Sequence, residues 1–134
     1  MTQKRILWID DEIELLKPFV IFLEKKGYLV DTASNGDDGI SLVKENYYDL
    51  IFLDEMMPGK DGITTLKEIK LVNANIPIVM ATKNEAEEIM EEALAKDIAD
   101  YILKPLNPSQ ILITCKKLLD SQNIKSSKLA ETYV

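Results

Sequence analysis

Apolar residues along this chain fall into two alternating kinds of segment. Short, dense apolar blocks run from Arg5 to Ile9, Asp49 to Asp54, Pro77 to Ala81 and Asp100 to Leu103. The run Leu50 to Leu53 is too short for a helix and reads as a buried strand, because a parallel strand covered on both faces shows a continuous apolar block, and the other three blocks read as further strands. Tyr28 to Ala33 instead alternates apolar and polar residues, which predicts a strand at a sheet edge. Between the blocks, apolar residues recur at helical spacing. The sets are Ile13, Leu15, Leu16, Phe19, Val20, Phe22 and Leu23; Ile40, Leu42 and Val43; Ile63, Leu66, Ile69 and Val72. A further set, Ile89, Met90, Ala93 and Leu94, predicts a helix over 85–96 with an acidic outer face, and a final set is Ile111, Leu112, Cys115, Leu118 and Leu119.

The breaks between segments fit. Gly27 stops the first helix, Asn35-Gly36 is a turn before a helix starting at Asp37 or Asp38, and Gly59 and Gly62 bracket a loop. Asn107-Pro108 opens the last helix, with proline suited to its first position. Pro18 lies inside the first helical pattern and predicts a kink near that helix's start, without a break. From about Asn123 the periodicity is lost. Residues 1–122 therefore read as one domain, and 123–134 as a tail or the start of a linker helix, with Leu129, Ala130 and Tyr133 at helical spacing.

Strict strand–helix alternation predicts an α/β fold with helices on both faces of a parallel sheet. Five such units predict a flavodoxin-like, doubly wound (βα)5 sheet with strand order 2-1-3-4-5. Right-handed crossovers then bring every strand's carboxyl end to one edge. The residues delivered there are Asp10, Asp11, Asp54, Thr82 and Lys104. Three carboxylates in one place repel unless one is protonated or a cation lies among them. An all-oxygen donor set favours a hard cation such as Mg²⁺, with Mn²⁺ as a substitute. Taken singly, Asp11 or Glu12 reads equally well as an acid in the first turn of a helix. With a metal and the Lys104 ammonium neutralising charge, Asp54 can act as a nucleophile toward phosphorus, and the Thr82 hydroxyl can donate to a phosphoryl oxygen.

Composition narrows the functional classes. The 134 residues carry a net charge of −7, which argues against direct nucleic-acid binding by this segment. There is no histidine, so histidine acid–base catalysis and histidine metal ligation are excluded. Cys115 is the one cysteine, on the apolar stripe of the last helix, and is expected to be a buried structural thiol. With no internal disulfide, no signal-peptide pattern and no apolar stretch of bilayer length, a cytoplasmic location without membrane contact is expected.

Asp10-Asp11, Asp54 with Met56-Met57-Pro58-Gly59, Thr82, Tyr101 and Lys104-Pro105 resemble the motif set of two-component response-regulator receiver (CheY-like) domains, over roughly residues 4–122. The resemblance implies a phosphoacceptor at Asp54 and a Mg²⁺ site of Asp10 (through water), Asp11, Asp54 and the Met56 carbonyl. It implies a Lys104 that pairs with the phosphate ahead of a cis Pro105, and a switch pair of Thr82 and Tyr101. It also implies a sensor histidine kinase or phosphotransfer protein as donor. Phosphorylation would remodel the face of the fourth helix, fifth strand and last helix, acting on a C-terminal output domain or an effector protein, with a phosphorylation-dependent homodimer through that face. Catalysis would be limited to self-phosphorylation and slow self-hydrolysis. Tyr101 has a plainer reading, as an aromatic packed at a strand centre.

A narrower likeness lies in Ile6-Leu7-Trp8, Leu15-Leu16-Lys17-Pro18, Phe22-Leu23-Glu24-Lys25-Lys26-Gly27-Tyr28 and Ile98-Ala99-Asp100-Tyr101, which look like the receiver of PorX-type regulators of Bacteroidetes. Those are associated with type IX secretion and carry a C-terminal PglZ domain of the alkaline phosphatase superfamily. One departure from the receiver pattern is Lys83, where a small residue usually follows the switch residue. A long cation there is expected to crowd or screen the site and alter phosphoryl lifetimes. Glu55 is expected to be a solvated loop acid, with steering of water as the alternative.

Other readings are weaker. A haloacid-dehalogenase-type phosphatase needs a second Asp two residues after the nucleophile, where this chain has Met56. A flavodoxin-type carrier needs a phosphate-cradling loop after the first strand, and Asp10-Asp11-Glu12 would repel phosphate. A non-phosphorylated pseudo-receiver, acting as an interaction module, would lack one of the five edge residues, and all five are present.

Overall fold

The computed structural model describes residues 3–83 and 98–120. Five parallel strands, β1 (Arg5–Ile9), β2 (Leu29–Ala33), β3 (Leu50–Asp54), β4 (Ile78–Thr82) and β5 (Asp100–Leu103), form one sheet in the order β2-β1-β3-β4-β5. The helices are α1 (Lys17–Lys25), α2 (Gly36–Glu45), α3 (Gly62–Val72) and a C-terminal helix, Pro108–Leu119. The helix expected over 85–96 and the tail from 121 onward lie outside the described residues.

Strand residues alternate between two cores, one on each face of the sheet. Leu7, Ile9, Ile51, Leu53, Ile78 and Met80 pack with Ile40 and Val43 of α2 and Leu66 and Ile69 of α3. Ile6, Trp8, Leu50, Phe52, Val79 and Ala81 pack with Leu23 of α1 and with Ile111 and Cys115 of the C-terminal helix. The rings of Trp8 and Phe52 lie 4.8 Å apart. Cys115 is buried, and that burial, with the nearby Asp120 charge, pushes its thiol up to about 12. β2 is an edge strand, as its alternating pattern requires.

The first helix differs from expectation. Residues 11–16 form successive turns, with Leu15 N–H on Glu12 O at 2.9 Å and Leu16 N–H on Ile13 O at 3.0 Å, and the α-helix begins only at Lys17. Pro18 occupies its first turn, the one place where a missing N–H costs no helical bond. The proline thus starts this helix instead of kinking it. The C-terminal helix starts where Asn107-Pro108 indicates: Asn107 Oδ1 accepts from Ser109 N–H at 2.8 Å and Gln110 N–H at 3.3 Å. Replacing Asn107 with Ala should cost about 1 kcal/mol, read as a lower urea midpoint with an unchanged m-value.

Candidate functional site

The sheet order reverses between β1 and β3, and in such sheets a crevice opens there at the carboxyl ends of the strands. Asp10 follows β1 and Asp54 ends β3, so their carboxylates flank that crevice. Ile9 pairs with Leu53, and Asp54 with Ala81, so the two acids emerge side by side next to β4. Lys104 follows β5 and returns over them, with Nζ 2.9 Å from Asp10 Oδ2 and 3.3 Å from Asp54 Oδ1. Its own N–H donates to Thr82 O at 2.8 Å, and the Lys104–Pro105 peptide is cis.

Asp10 is fully buried and Asp54 is 4% exposed. Asp10 Oδ1 accepts the Glu12 N–H at 2.8 Å, which curls the next turn around it. One ammonium serves two buried carboxylates, so charge compensation is incomplete. Burial first, then the charge of Asp10 and a hydrogen bond with Asp11, push the Asp54 carboxyl up to about 7, with Lys104 opposing. For Lys104, burial pulls downward, but the hydrogen bond and charge of Asp10, with Asp54 adding, overcome it and the net shift is upward. Asp10, Asp11 and Glu12 also place carboxylate oxygens within 4.8 Å of one another. An all-oxygen, under-compensated cluster of this kind fits a hard divalent cation.

The remaining predicted residues occupy the rim. Met56 is 61% exposed at the start of the loop after β3, while Met57 is buried. Lys83 leans from the end of β4 to Glu12, Nζ to Oε1 at 3.5 Å. Tyr101 is 41% exposed on β5 and does not pack in the core, so the plainer reading as strand-centre packing does not hold. A groove of about 400 Å³ opens beside Lys104, walled by Leu15, Leu16, Phe19, Pro105 and Leu106.

Glu55 requires a correction. It is buried, at 8% exposed, and its Oε2 accepts the Thr82 hydroxyl at 3.0 Å. The signal for this lies in strand alternation carried to the last residue of each strand or one residue past it. Asp10, Asp54 and Lys104 continue the parity of Trp8, Phe52 and Ile102, on the face covered by α1 and the C-terminal helix. Glu55 and Thr82 continue the parity of Leu53 and Met80, on the α2/α3 face. An acid aligned with a buried hydroxyl on the neighbouring strand is not a solvated loop acid.

Residues 6–116 match the model of the response regulator receiver domain. The chain is 38% identical to the transcriptional regulatory protein ResD of Bacillus subtilis over 118 residues, 88% of this chain and 49% of ResD. It is 32% identical to RprY of Bacteroides fragilis over 129 residues, 96% of this chain and 55% of RprY. It thus spans about half the length of these relatives. Among solved structures, a two-component response regulator from Clostridium difficile aligns with TM-score 0.85 and 35% identity, over 90% of this chain and 99% of that one. A CheY-like receiver domain from Methanospirillum hungatei aligns with TM-score 0.86 and 27% identity, over 92% and 99%. The chain belongs to the response regulator receiver domain family.

Proposed function

We propose that this receiver domain takes a phosphoryl group on Asp54 and passes the change to a partner through Thr82 and Tyr101. The observation that carries the reading is the Lys104 ammonium set between Asp10 and Asp54, with both acids at the carboxyl ends of adjacent strands. The Asp54 carboxylate oxygen attacks phosphorus. The P–O bond to Asp54 forms as the donor's P–N bond breaks, and the donor imidazole takes the bonding pair and leaves neutral, keeping the proton on its other ring nitrogen. Lys104, already within hydrogen-bonding range of Asp54, can follow the new phosphoryl oxygens and neutralise them. Asp10, through water, with Asp11, Asp54 and the Met56 carbonyl would hold Mg²⁺, with Mn²⁺ as a substitute. Such an ion supplies charge neutralisation for in-line phosphoryl transfer.

The donor is a sensor histidine kinase or phosphotransfer protein, and the apolar groove beside Lys104 offers a helix room to approach. Residues 1–122 are read as the receiver, and 123–134 as a C-terminal tail or the start of a linker. The face around Tyr101 then contacts an output domain, an effector or a second copy of the chain. Among the described residues no helix is long and apolar enough to cross a membrane; the cytoplasmic location rests on the receiver reading alone. The narrower PorX-type reading, with a PglZ-type hydrolase as output, rests on the four sequence segments named above. The full-length polypeptide tests it: a PglZ-type domain beyond residue 134 supports it, and a DNA-binding domain overturns it.

The deciding experiment is intact mass after incubation with acetyl phosphate, with and without Mg²⁺, for the wild type and Asp54→Ala. The expected result is a Mg²⁺-dependent gain of one phosphoryl group that is absent in Asp54→Ala. A gain that survives the substitution places the chemistry on another carboxylate. No gain at any donor concentration favours the pseudo-receiver reading. Lys83→Ala belongs in the same series. By opening the mouth that Lys83 and Glu12 bridge, it should change the phosphoryl lifetime without abolishing uptake.

A further inference from the structure

We propose that Glu55 is a latch on Thr82: its carboxylate holds the Thr82 hydroxyl on the side of the sheet away from Asp54. Phosphorylation of Asp54 then has to break this hydrogen bond before the hydroxyl can turn to a phosphoryl oxygen. The inference rests on the phosphoacceptor reading and adds to it a positioning residue that acts through Thr82.

Four observations support the latch. The Thr82 Oγ1 to Glu55 Oε2 hydrogen bond is 3.0 Å long and both residues are buried. A hydroxyl has one proton, so donation to Glu55 excludes donation to a phosphoryl oxygen at the same moment. The Glu55 backbone is pinned at both ends, its N–H on Ala81 O at 2.9 Å and its carbonyl accepting Gly62 N–H at 2.9 Å. The carboxylate therefore hangs from a point fixed to both β4 and α3. Strand parity puts Glu55 and Thr82 on the α2/α3 side, and Asp10, Asp54 and Lys104 on the other. The hydroxyl must cross between these sides to reach a group on Asp54. Because the acceptor is a carboxylate, the bond is of the stronger, charge-assisted kind, and it biases the switch toward the resting arrangement.

The test is beryllofluoride, a phosphoryl mimic for carboxylates, titrated in Mg²⁺ and followed by the fluorescence of Trp8, the single tryptophan. The titration is run on the wild type, Glu55→Gln, Glu55→Ala and Glu55→Leu, each with Thr82 intact and with Thr82→Val. Leucine fills the space without an acceptor, so a local collapse in Glu55→Ala is told apart from release of the latch. Glutamine is neutral but still accepts a hydrogen bond, so it separates the bond from the charge. With Thr82 intact, Ala and Leu should bind roughly tenfold more tightly than wild type, the scale of one hydrogen bond to a charged group, and Gln should fall between. With Thr82→Val, Gln, Ala and Leu should bind alike. Equal affinity of Gln, Ala and Leu with Thr82 intact assigns the whole effect to charge and overturns the latch. Unchanged affinity in all three also overturns it, while leaving the phosphoacceptor reading in place. Absence of binding by the wild type and every variant overturns both.

Discussion

In metal-free buffer at pH 7, Asp54→Asn should be more stable than the wild type by about 2 kcal/mol, a rise in Tm of roughly 8 °C for a domain of this size. Asp54 lies 4% exposed beside the fully buried Asp10, and burial followed by Asp10's charge pushes its carboxyl up to about 7 from an ordinary value of 3.8. A group whose folded pKa is raised binds more protons in the folded state than in the unfolded one. The slope of stability with pH is then negative between the two values. The wild type should be most stable near pH 4, lose stability as pH rises toward 7, and level off above that. Asparagine removes the charge and adds an N–H donor for the neighbouring carboxylates, so its curve should be flat over this window. The full shift would correspond to about 4 kcal/mol, and relaxation around the crevice reduces the expected figure to about half. Thermal melts in EDTA from pH 4 to pH 8 measure this. A parallel pH dependence in the two proteins would remove the strain assigned to Asp54. Added Mg²⁺ should raise the Tm of the wild type more than that of Asp54→Asn, because the substitution removes one of the proposed ligands.

Gly62→Ala is expected to destabilise the domain by about 3 kcal/mol and to slow phosphoryl uptake on the order of 100-fold. A Cβ at this position would stand 2.4 Å from the Asp54 carbonyl oxygen and 2.6 Å from the Glu55 Cα. Both are backbone atoms, so no side-chain rotation relieves the clash. The start of α3 must move away from β3, and the Gly62 N–H bond to Glu55 O at 2.9 Å is lost with it. The loop from Met56 to Asp61 hangs between these two points, so the carbonyl proposed to face the metal shifts too. Gly59→Ala is the control. Gly59 has φ 80° but open space around it, so alanine there costs about 1 kcal/mol of backbone strain without pushing on the site. Equal uptake rates for the two variants would show that the close approach at Gly62 does not position Asp54.

Much of this molecule is legible in its sequence, for a physical reason. Central strands of a doubly wound sheet must be apolar on both faces, so β1, β3 and β4 appear as dense blocks, and the residue that ends each block is delivered to one edge. Asp10, Asp54 and Thr82 are legible that way, Lys104 from the shorter block of edge strand β5, and the β2-β1-β3-β4-β5 order follows from alternation and crossover handedness. Asn107-Pro108 also marked its helix correctly, because capping is a local interaction between a side chain and the next turn's N–H groups.

What sequence did not decide depends on atoms from distant segments meeting. Pro18 reads in sequence as a kink inside a longer helix, but the turns over 11–16, curled around the Asp10 carboxylate, place it in the first turn and make it a start. Glu55 looks like a loop acid until β4 brings the Thr82 hydroxyl to 3.0 Å, across 27 positions of chain. The requirement for glycine at position 62 is invisible without the β3 backbone behind it. Burial likewise turns Asp54 from an ordinary carboxylate into one poised near neutrality, since desolvation and the Asp10 charge exist only once the sheet has formed. Periodicity and local capping therefore determined which residues reach the edge. Tertiary packing decided which of them touch, which stay charged, and which way the Thr82 hydroxyl points.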